Sequence, residues 1–420
     1  MKYNKWTLGL AAVGAVSLAS VAQADEKQGT VMNAVSSTVL SGYVDTSAQW
    51  NMGSDQTHAP GYKYGGPSKA DGFNLDVVKL TLEKALDETD WAAGYKVDLL
   101  FGPDANVFGS SSPVTVGNNT KVGTVQDFAI KQAYVALRAP VGNGIDFKVG
   151  VFDSVVGYES TEADKDPNFT RSWAHTFEPS THTGVLGTYQ LTKMIGFSFG
   201  IADTFGPQIN QETAPVKSDS YKTYLGSISL TAPDSMGFLA GSSVYAGVVS
   251  GLNGNALKTA TTADQTSLYA GVTLATPITA LRLGAAYDYA AVGHQTLTAN
   301  NGGLLPLSGS FVQNGYFNAV SGYATYQLTE KASLHGRLEY ATLSSQIATY
   351  LDENGTAIAS KDLSLTTTLQ YDLWKNVISR LELRWDHAAD GHDAFGQGVA
   401  GGTGTLKNSF ILAANVIYKF

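Results

Sequence analysis

Apolar and polar residues alternate with a period of two along most of this chain. At the C-terminus Phe410, Leu412, Ala414, Val416, Tyr418 and Phe420 form one face. Ser409, Asn415 and Lys419 lie on the other, with Ile411, Ala413 and Ile417 among them. Leu363, Leu365, Leu369, Tyr371 and Leu373 alternate in the same way with Ser364, Thr366, Thr368, Gln370 and Asp372. Leu381, Leu383 and Trp385 are interleaved with Arg380, Glu382, Arg384 and Asp386. Wound as helices, these segments would carry charge all round and no apolar stripe. As strands, each has one oily face.

The alternation predicts about sixteen strands, with fourteen as the alternative because two are weakly patterned. They run over 39–50, 72–84, 91–101, 128–138, 145–152, 184–191, 194–202 and 221–230. The second half comprises 238–250, 266–275, 281–290, 317–328, 332–341, 362–373, 377–386 and 409–420. The fourth and ninth alternate least well. The second changes face near Val77-Val78, which a β-bulge would explain.

Connection lengths alternate as well. Long ones fall near 51–71, 102–127, 153–183, 203–220, 251–265, 291–316, 342–361 and 387–408. Short ones include Pro140–Gly144, Thr192-Lys193, Pro277–Thr279 and Trp374–Asn376. An even strand number with short turns at one end and long loops at the other is the layout of an outer-membrane β-barrel. A soluble sandwich has no reason to sort its loops by length. Aromatic residues cluster at strand ends: Trp91, Tyr189, Tyr326, Tyr371, Trp374, Tyr418 and Phe420 toward the short-turn rim, and Trp50, Phe101, Tyr287, Tyr340 and Trp385 toward the other. Rings with one apolar and one polar edge suit the two membrane interfaces.

The first residues follow a different rule. Lys2 and Lys5 precede an uncharged apolar run from Trp6 to Val21, and Ala22-Gln23-Ala24 is a small-x-small cleavage site. This predicts a cleaved export signal over 1–24, a periplasmic lead-in over 25–38 and a barrel over 39–420. The run is short for a spanning helix, which needs about 20 apolar residues.

Composition narrows the function. The chain has 27 basic and 36 acidic residues; without Lys2 and Lys5, 25 basic residues remain and the net charge is −11. That balance argues against nucleic acid as a partner. The chain has no cysteine, so export to an oxidising compartment brings no disulfide. Mean hydropathy is −0.06, as expected of a sheet with one wet and one oily face.

Three short stretches are familiar. Ser41-Gly42-Tyr43-Val44-Asp45-Thr46-Ser47, Val151-Phe152-Asp153-Ser154-Val155-Val156-Gly157-Tyr158-Glu159 and Glu178-Pro179-Ser180-Thr181-His182-Thr183-Gly184-Val185-Leu186 resemble the OmpL-like β-barrel porin family of Gram-negative bacteria. The resemblance implies an outer-membrane porin. The terminal Phe420, behind alternating apolar residues, also looks like the signal read by the barrel-assembly machinery.

About sixteen strands would enclose an aqueous lumen, whereas eight would be filled by side chains. The charged residues of the strands are expected inside: Asp45, Lys79, Glu83, Lys96, Asp98, Arg138, Asp146, Lys148, Arg282, Asp288, Arg337, Glu339, Arg380, Glu382, Arg384 and Asp386. The third long loop, 153–183, holds Asp153, Glu159, Glu162, Asp164, Asp166 and Glu178 against Lys165 and Arg171, a net charge of −4. It is expected to fold into the lumen as a constriction. Its acids would face a basic wall of Arg337, Arg380, Arg384 and Arg282, and opposed charges at a constriction sort solutes.

The first expectation is a passive pore for small hydrophilic solutes and ions, embedded in outer-membrane lipid, with no cofactor and no bond chemistry. A homotrimer is expected by analogy with barrels of this size. Alternatives are a channel selective for sugars or organic acids, with inward Tyr43, Tyr269 and Tyr323 stacking solutes, and a non-conducting structural or adhesion barrel. An enzyme would need a paired Ser-His or Asp-His set at one rim, and the seven histidines are scattered. The densest cluster, Asp386-His387, Asp390, His392 and Asp393, fits no standard metal-ligand spacing. Gly401-Gly402-Thr403-Gly404-Thr405 lacks the lysine and following helix of a phosphate loop and reads as a loop tip.

Overall fold

The computed structural model describes residues 37–52, 60, 62–65, 69, 71–108, 114–116, 119–121, 127–209, 221–254, 263–297, 311–344, 360–396 and 404–420. The leader 1–24 and nearly all of the lead-in 25–38 lie outside the described residues, as do Gly401, Gly402 and Thr403 of the glycine-rich tip.

The chain forms β1 (Val39–Met52), β2 (Gly72–Lys84), β3 (Ala93–Phe101), β4 (Val114–Val116), β5 (Asn119–Lys121) and β6 (Phe128–Ala139). Then come β7 (Ile145–Asp153), β8 (Thr181–Gln190), β9 (Ile195–Ala202), β10 (Thr223–Thr231), β11 (Ser243–Asn253) and β12 (Ala263–Ala275). The last six are β13 (Leu281–Leu297), β14 (Phe311–Gln327), β15 (Ala332–Leu343), β16 (Lys361–Trp374), β17 (Val377–Ala388) and β18 (Asn408–Lys419). β4 and β5 pair only with each other, inside the second long loop. The other sixteen close into one barrel in which each strand pairs antiparallel with its chain neighbour and β18 returns to β1. Closure leaves no free edge, so every strand's backbone groups find partners where a lipid interior would offer none.

The seam is tight. Gly42 and Phe420 exchange backbone hydrogen bonds of 3.0 Å in both directions. The Phe420 ring lies over Gly42, where a Cβ would come within 2.8 Å of it. The last residue is thus the stitch that completes the cylinder.

All sixteen expected strands are present, and the differences have local causes. The strand expected over 238–250 starts at Ser243, because Asp234–Leu239 turns as a short 3-10 helix. β13 and β14 run seven and six residues further outward than the alternation suggested, so much of the expected loop 291–316 is strand. The face change in β2 is a bulge one residue earlier than expected: Asp45 opposes Val77 and Thr46 opposes Leu75, leaving Asp76 extra. A second bulge explains the poor alternation of β6. Asp98 opposes Gln132 while Leu99 opposes Ile130, so Lys131 and Gln132 both point inward.

Alternation sorts the wall. Leu365, Leu369, Leu381 and Leu383 are 43–52% exposed on the outside, while Thr366, Thr368 and Arg384 are wholly enclosed within. The packed apolar clusters lie inside the cylinder, around the third long loop. Val155 and Val156 pack with Phe152, Leu186, Leu225 and Val249. Trp173 and Phe177 pack with Val292 and Phe317, whose ring stacks on Phe177 at 4.2 Å. Ala163 packs with Tyr43, Ile378 and Ile417. This is why Ile411, Ala413 and Ile417 interrupt the polar face of β18: they meet protein, not water.

Candidate functional site

The segment between β7 and β8 enters and leaves through one neck, where Ser154 N–H donates to Ser180 O at 2.9 Å. Its first part lies along β11 to β14. Tyr245 Oη donates to Val155 O at 2.8 Å, and a Cβ at Gly247 would collide with that carbonyl. Gly157 follows with φ of +116°, a conformation glycine adopts without strain, and it leaves room for the Glu178 carboxyl. The Tyr158 ring stacks on Tyr323 of β14 at 4.1 Å, with 17° between planes.

Beyond this point the segment is fastened to inward side chains of strands far apart in sequence. Glu159 meets Arg337 at 2.9 Å and accepts from Ser172 N–H at 2.7 Å. Arg337 also donates to Thr170 O, Arg380 to the carbonyls of Ala163 and Asp166, and Arg384 to Arg171 O, over 2.5–3.0 Å. The wall acids work in the same direction. Glu382 accepts the consecutive N–H groups of Phe169 and Thr170 at 2.6 and 2.9 Å. Glu339 accepts those of Trp173 and Ala174 at 2.7 and 2.8 Å, at the start of the short helix Trp173–Phe177. Asp386 takes Trp173 Nε1–H at 3.1 Å. Farther along the same wall, past β18, Ala163 N–H donates to Tyr43 Oη at 3.1 Å, and Lys79 of β2 reaches Glu162 at 2.9 Å. The segment is therefore strapped across the lumen, from its root at β7–β8 to the wall formed by β15–β17 and, past β18, β1–β2.

The expected acid and arginine sets meet in an unexpected way. Of the six loop acids only Glu159 pairs with a wall arginine through its side chain. Glu162 collects Lys79, Lys131 and Lys165 at 2.7–3.3 Å. Burial pushes its carboxyl up, but these three lysines together hold it well below the usual range. Asp166 pairs with Arg171 of the same loop at 3.1 Å. Burial raises it to about 7 despite that partner, with Glu159 adding to the rise. Glu178 lies 3.2 Å from His175 and shares a hydrogen bond with Asp288; burial and Asp288 push it well up. Asp153 holds Lys131 at 2.7 Å. Asp164 is half-buried, with one carboxyl oxygen enclosed and without a hydrogen-bond partner among the described residues. Arg337, Arg380 and Arg384 each give at least one donor to a loop carbonyl. Arg282 sits apart at the short-turn end of β13 and joins no ion pair among the described residues.

Sequence reasoning missed the first long loop. Tyr62, Tyr64 and Lys69 are buried against the strap: the Arg384 guanidinium lies 4.0 Å over the Tyr62 ring, and Lys63 N–H donates to Thr176 at 2.8 Å. Lys69 binds Asp76 and Asp104, each at 2.6 Å. Burial works against the Lys69 charge, but Asp104 and Asp76 outweigh it and hold the ammonium above its usual range. The Tyr-x-Tyr of 62–64 was the available signal, in a loop otherwise read as external. Lys131 was missed because the bulge reverses its face.

The cluster near the last loop is not gathered into a site. Asp386 points inward to Arg384, while His387 on the opposite face bonds Asn408 at 2.9 Å and stacks on Trp385. Asp390 accepts from Ser360. Among the described residues no group of three or more His, Asp or Glu side chains is placed to hold a metal.

The barrel is similar to solved porins. The anion-selective porin from Comamonas acidovorans superposes with a TM-score of 0.57 at 11% identity, covering 91% of this chain and 99% of that one. The outer membrane channel DcaP of Acinetobacter baumannii gives 0.56 at 12% identity, over 91% and 97%. Salmonella typhi OmpF gives 0.55 at 13% identity, over 91% and 97%. At such identities the likeness concerns the fold. No curated protein matches the sequence. The family described as "Putative beta-barrel porin-2, OmpL-like" matches residues 37–420, the whole barrel, and this chain belongs to it.

Proposed function

We propose that the protein is a passive outer-membrane diffusion channel for small hydrophilic solutes and ions, in which the strap 154–180 forms the constriction. The observation that carries this reading is the strap itself: a loop pinned across a sixteen-strand lumen by Arg337, Glu339, Arg380, Glu382 and Arg384. A barrel of this width has room for water beside one crossing segment. Pinned on both sides, such a segment narrows the path without needing to move. Because its charges are paired at contact distance, the constriction selects by size more than by charge. No step in this function breaks or makes a bond, and it calls for no cofactor.

In this reading the leader 1–24 is removed on export, the bacterial outer membrane receives the barrel, and the assembly machinery reads Phe420. A trimer form is described for OmpT of Vibrio cholerae, whose barrel superposes here with a TM-score of 0.52. We extend that assembly to this chain as part of the proposal.

The test is single-channel recording of the refolded mature chain in a planar bilayer, with the reversal potential under a salt gradient. Stepwise, long-lived openings with weak ion preference are expected. A folded barrel that never conducts would overturn the reading in favour of a structural or adhesive role.

A further inference from the structure

Ion pairs inside this barrel are of two kinds. At the strap they are short and enclosed. Glu159 with Arg337, and Arg384 with Asp386, lie at 2.7–2.9 Å with side chains 0–4% exposed. Toward the short-turn ends of β2, β3, β6 and β7 they are long and open. Lys96 lies 3.4 Å from Glu83 and 4.0 Å from Asp98, and Arg138 lies 3.4 Å from Asp146. Lys96, Glu83, Arg138 and Asp146 keep 16–42% of their side-chain surface. These charges are within reach of a solute, as those that hold the strap are not.

Lys148 goes furthest in this direction. It is half-buried on the inward face of β7, while Val149 beside it points outward. Among the described residues its side chain forms no ion pair and no hydrogen bond. Its Nζ lies 5.1 Å from the centroid of the Tyr134 ring, whose face attracts a cation without neutralising it. The acids around it are engaged elsewhere: Asp153 by Lys131 at 2.7 Å, Asp98 by Thr81 and Gln132 at 2.6 and 2.7 Å, and Asp146 by Arg138. The register brings a second cation to the same ring, because Lys96 directly opposes Tyr134. On its other side Tyr134 opposes Gly150, which opposes Gly184, so the row continues without side chains. An ammonium has three donors and no acceptor, so Lys148 lacks both a counter-charge and acceptor oxygens. An oxyanion supplies the two together, and a cation set against a low-dielectric wall draws anions to it.

We propose that Lys148, with Lys96 beside it across Tyr134, is a docking site for small oxyanions (carboxylate or phosphate) near the short-turn end of the lumen. The proposal rests on the channel reading and names the solute class for it. The site holds an anion briefly through one or two ammonium groups, so binding is shallow and saturable and transport remains passive.

The test records ion current through wild-type channels while inorganic phosphate or gluconate is added, each separately. Conductance in KCl alone tests the channel reading; ion preference and block test the site. In about 0.1 M KCl a mild preference for chloride and a saturable loss of current with either oxyanion are expected, and both should fade in about 1 M KCl, where screening shortens the reach of a charge. Lys148→Gln should raise the half-blocking concentrations about threefold and reduce the chloride preference. Lys148→Arg, which keeps the charge, should retain both, and Lys193→Gln in an exposed short turn should change neither. Block by only one of the two oxyanions would assign the site to that source. Cation preference in the wild type, or block indifferent to the charge at Lys148, would overturn the site. If the folded barrel does not conduct, broadening of the phosphate phosphorus resonance by detergent-folded protein decides the site independently: Lys148→Gln should weaken it, and equal broadening by both proteins would overturn the proposal.

Discussion

The wall of this barrel is two unlike arcs. β13 to β17, continuing to β1–β3, present Arg337, Glu339, Arg380, Glu382, Arg384, Asp386, Lys79 and Asp98 inward, all essentially enclosed. β8 to β12 present small residues, hydroxyls and tyrosines. The charged arc holds the strap by directed bonds, in which wall carboxylates take backbone N–H groups and wall guanidinium groups take backbone carbonyls. The neutral arc holds it by shape, with Val155 and Val156 against Phe152, Leu186 and Val249. Charge on a lumen wall is therefore no measure of charge available to a solute. Here the charged arc is largely consumed in holding the strap, and the neutral arc is packed against it.

The largest effect should come from breaking the charged arc. Replacing Arg380 and Arg384 together by Ala strands Asp386 and several strap carbonyls. Breaking one buried pair costs about 3–5 kcal/mol. Conductance should rise several-fold and a protease should cut within 154–180, while the barrel keeps its heat-modifiable mobility. Unchanged conductance would mean the neutral arc alone positions the strap.

The matching break on the other side is Gly247→Val, which forces the Val155 carbonyl off the wall. Overpacking of this kind costs about 1–3 kcal/mol. A smaller rise in conductance with a lowered melting temperature is expected, and equal effects from both variants would erase the distinction between the arcs.

Acidity should act through the strap in two directions. Glu162, held below its ordinary 4.5, contributes stability that is whole above that value and is lost as pH falls. Asp166, raised to about 7, acts oppositely: the protein favours its protonated form, so stability declines as pH rises from about 4 toward 7. The strap should be quietest in current recordings near the ordinary glutamate value, where Glu162 is ionised and Asp166 has cost least. Noise should grow in acid, and Glu162→Gln should remove the acid dependence.

The smallest effect sharpens the comparison most directly. Ser227→Asp adds a charge where the arc has none to answer it and should move the reversal potential toward cations. Gln370→Glu, beside Arg380 at 3.2 Å in the charged arc, should move it much less.

The strands, the sorting of loops and the two faces of the wall were legible in the sequence, because a period of two is a local property that any extended strand expresses. The absence of charge from β8 to β11 is also written in the sequence but went unread there, because only the closed barrel gathers those strands into one arc. Lys131 was not legible, because a bulge reverses its face, and Tyr62 and Lys69 were hidden in a loop without periodicity. The acids of 153–183 and the arginines opposite were both identifiable; that they touch was not. Glu159 and Arg337 are 178 residues apart, and Arg380 and Ala163 are 217 apart. Such pairs exist only once sixteen strands have closed and the strap has crossed between them, since no local pattern encodes the distance across a cylinder.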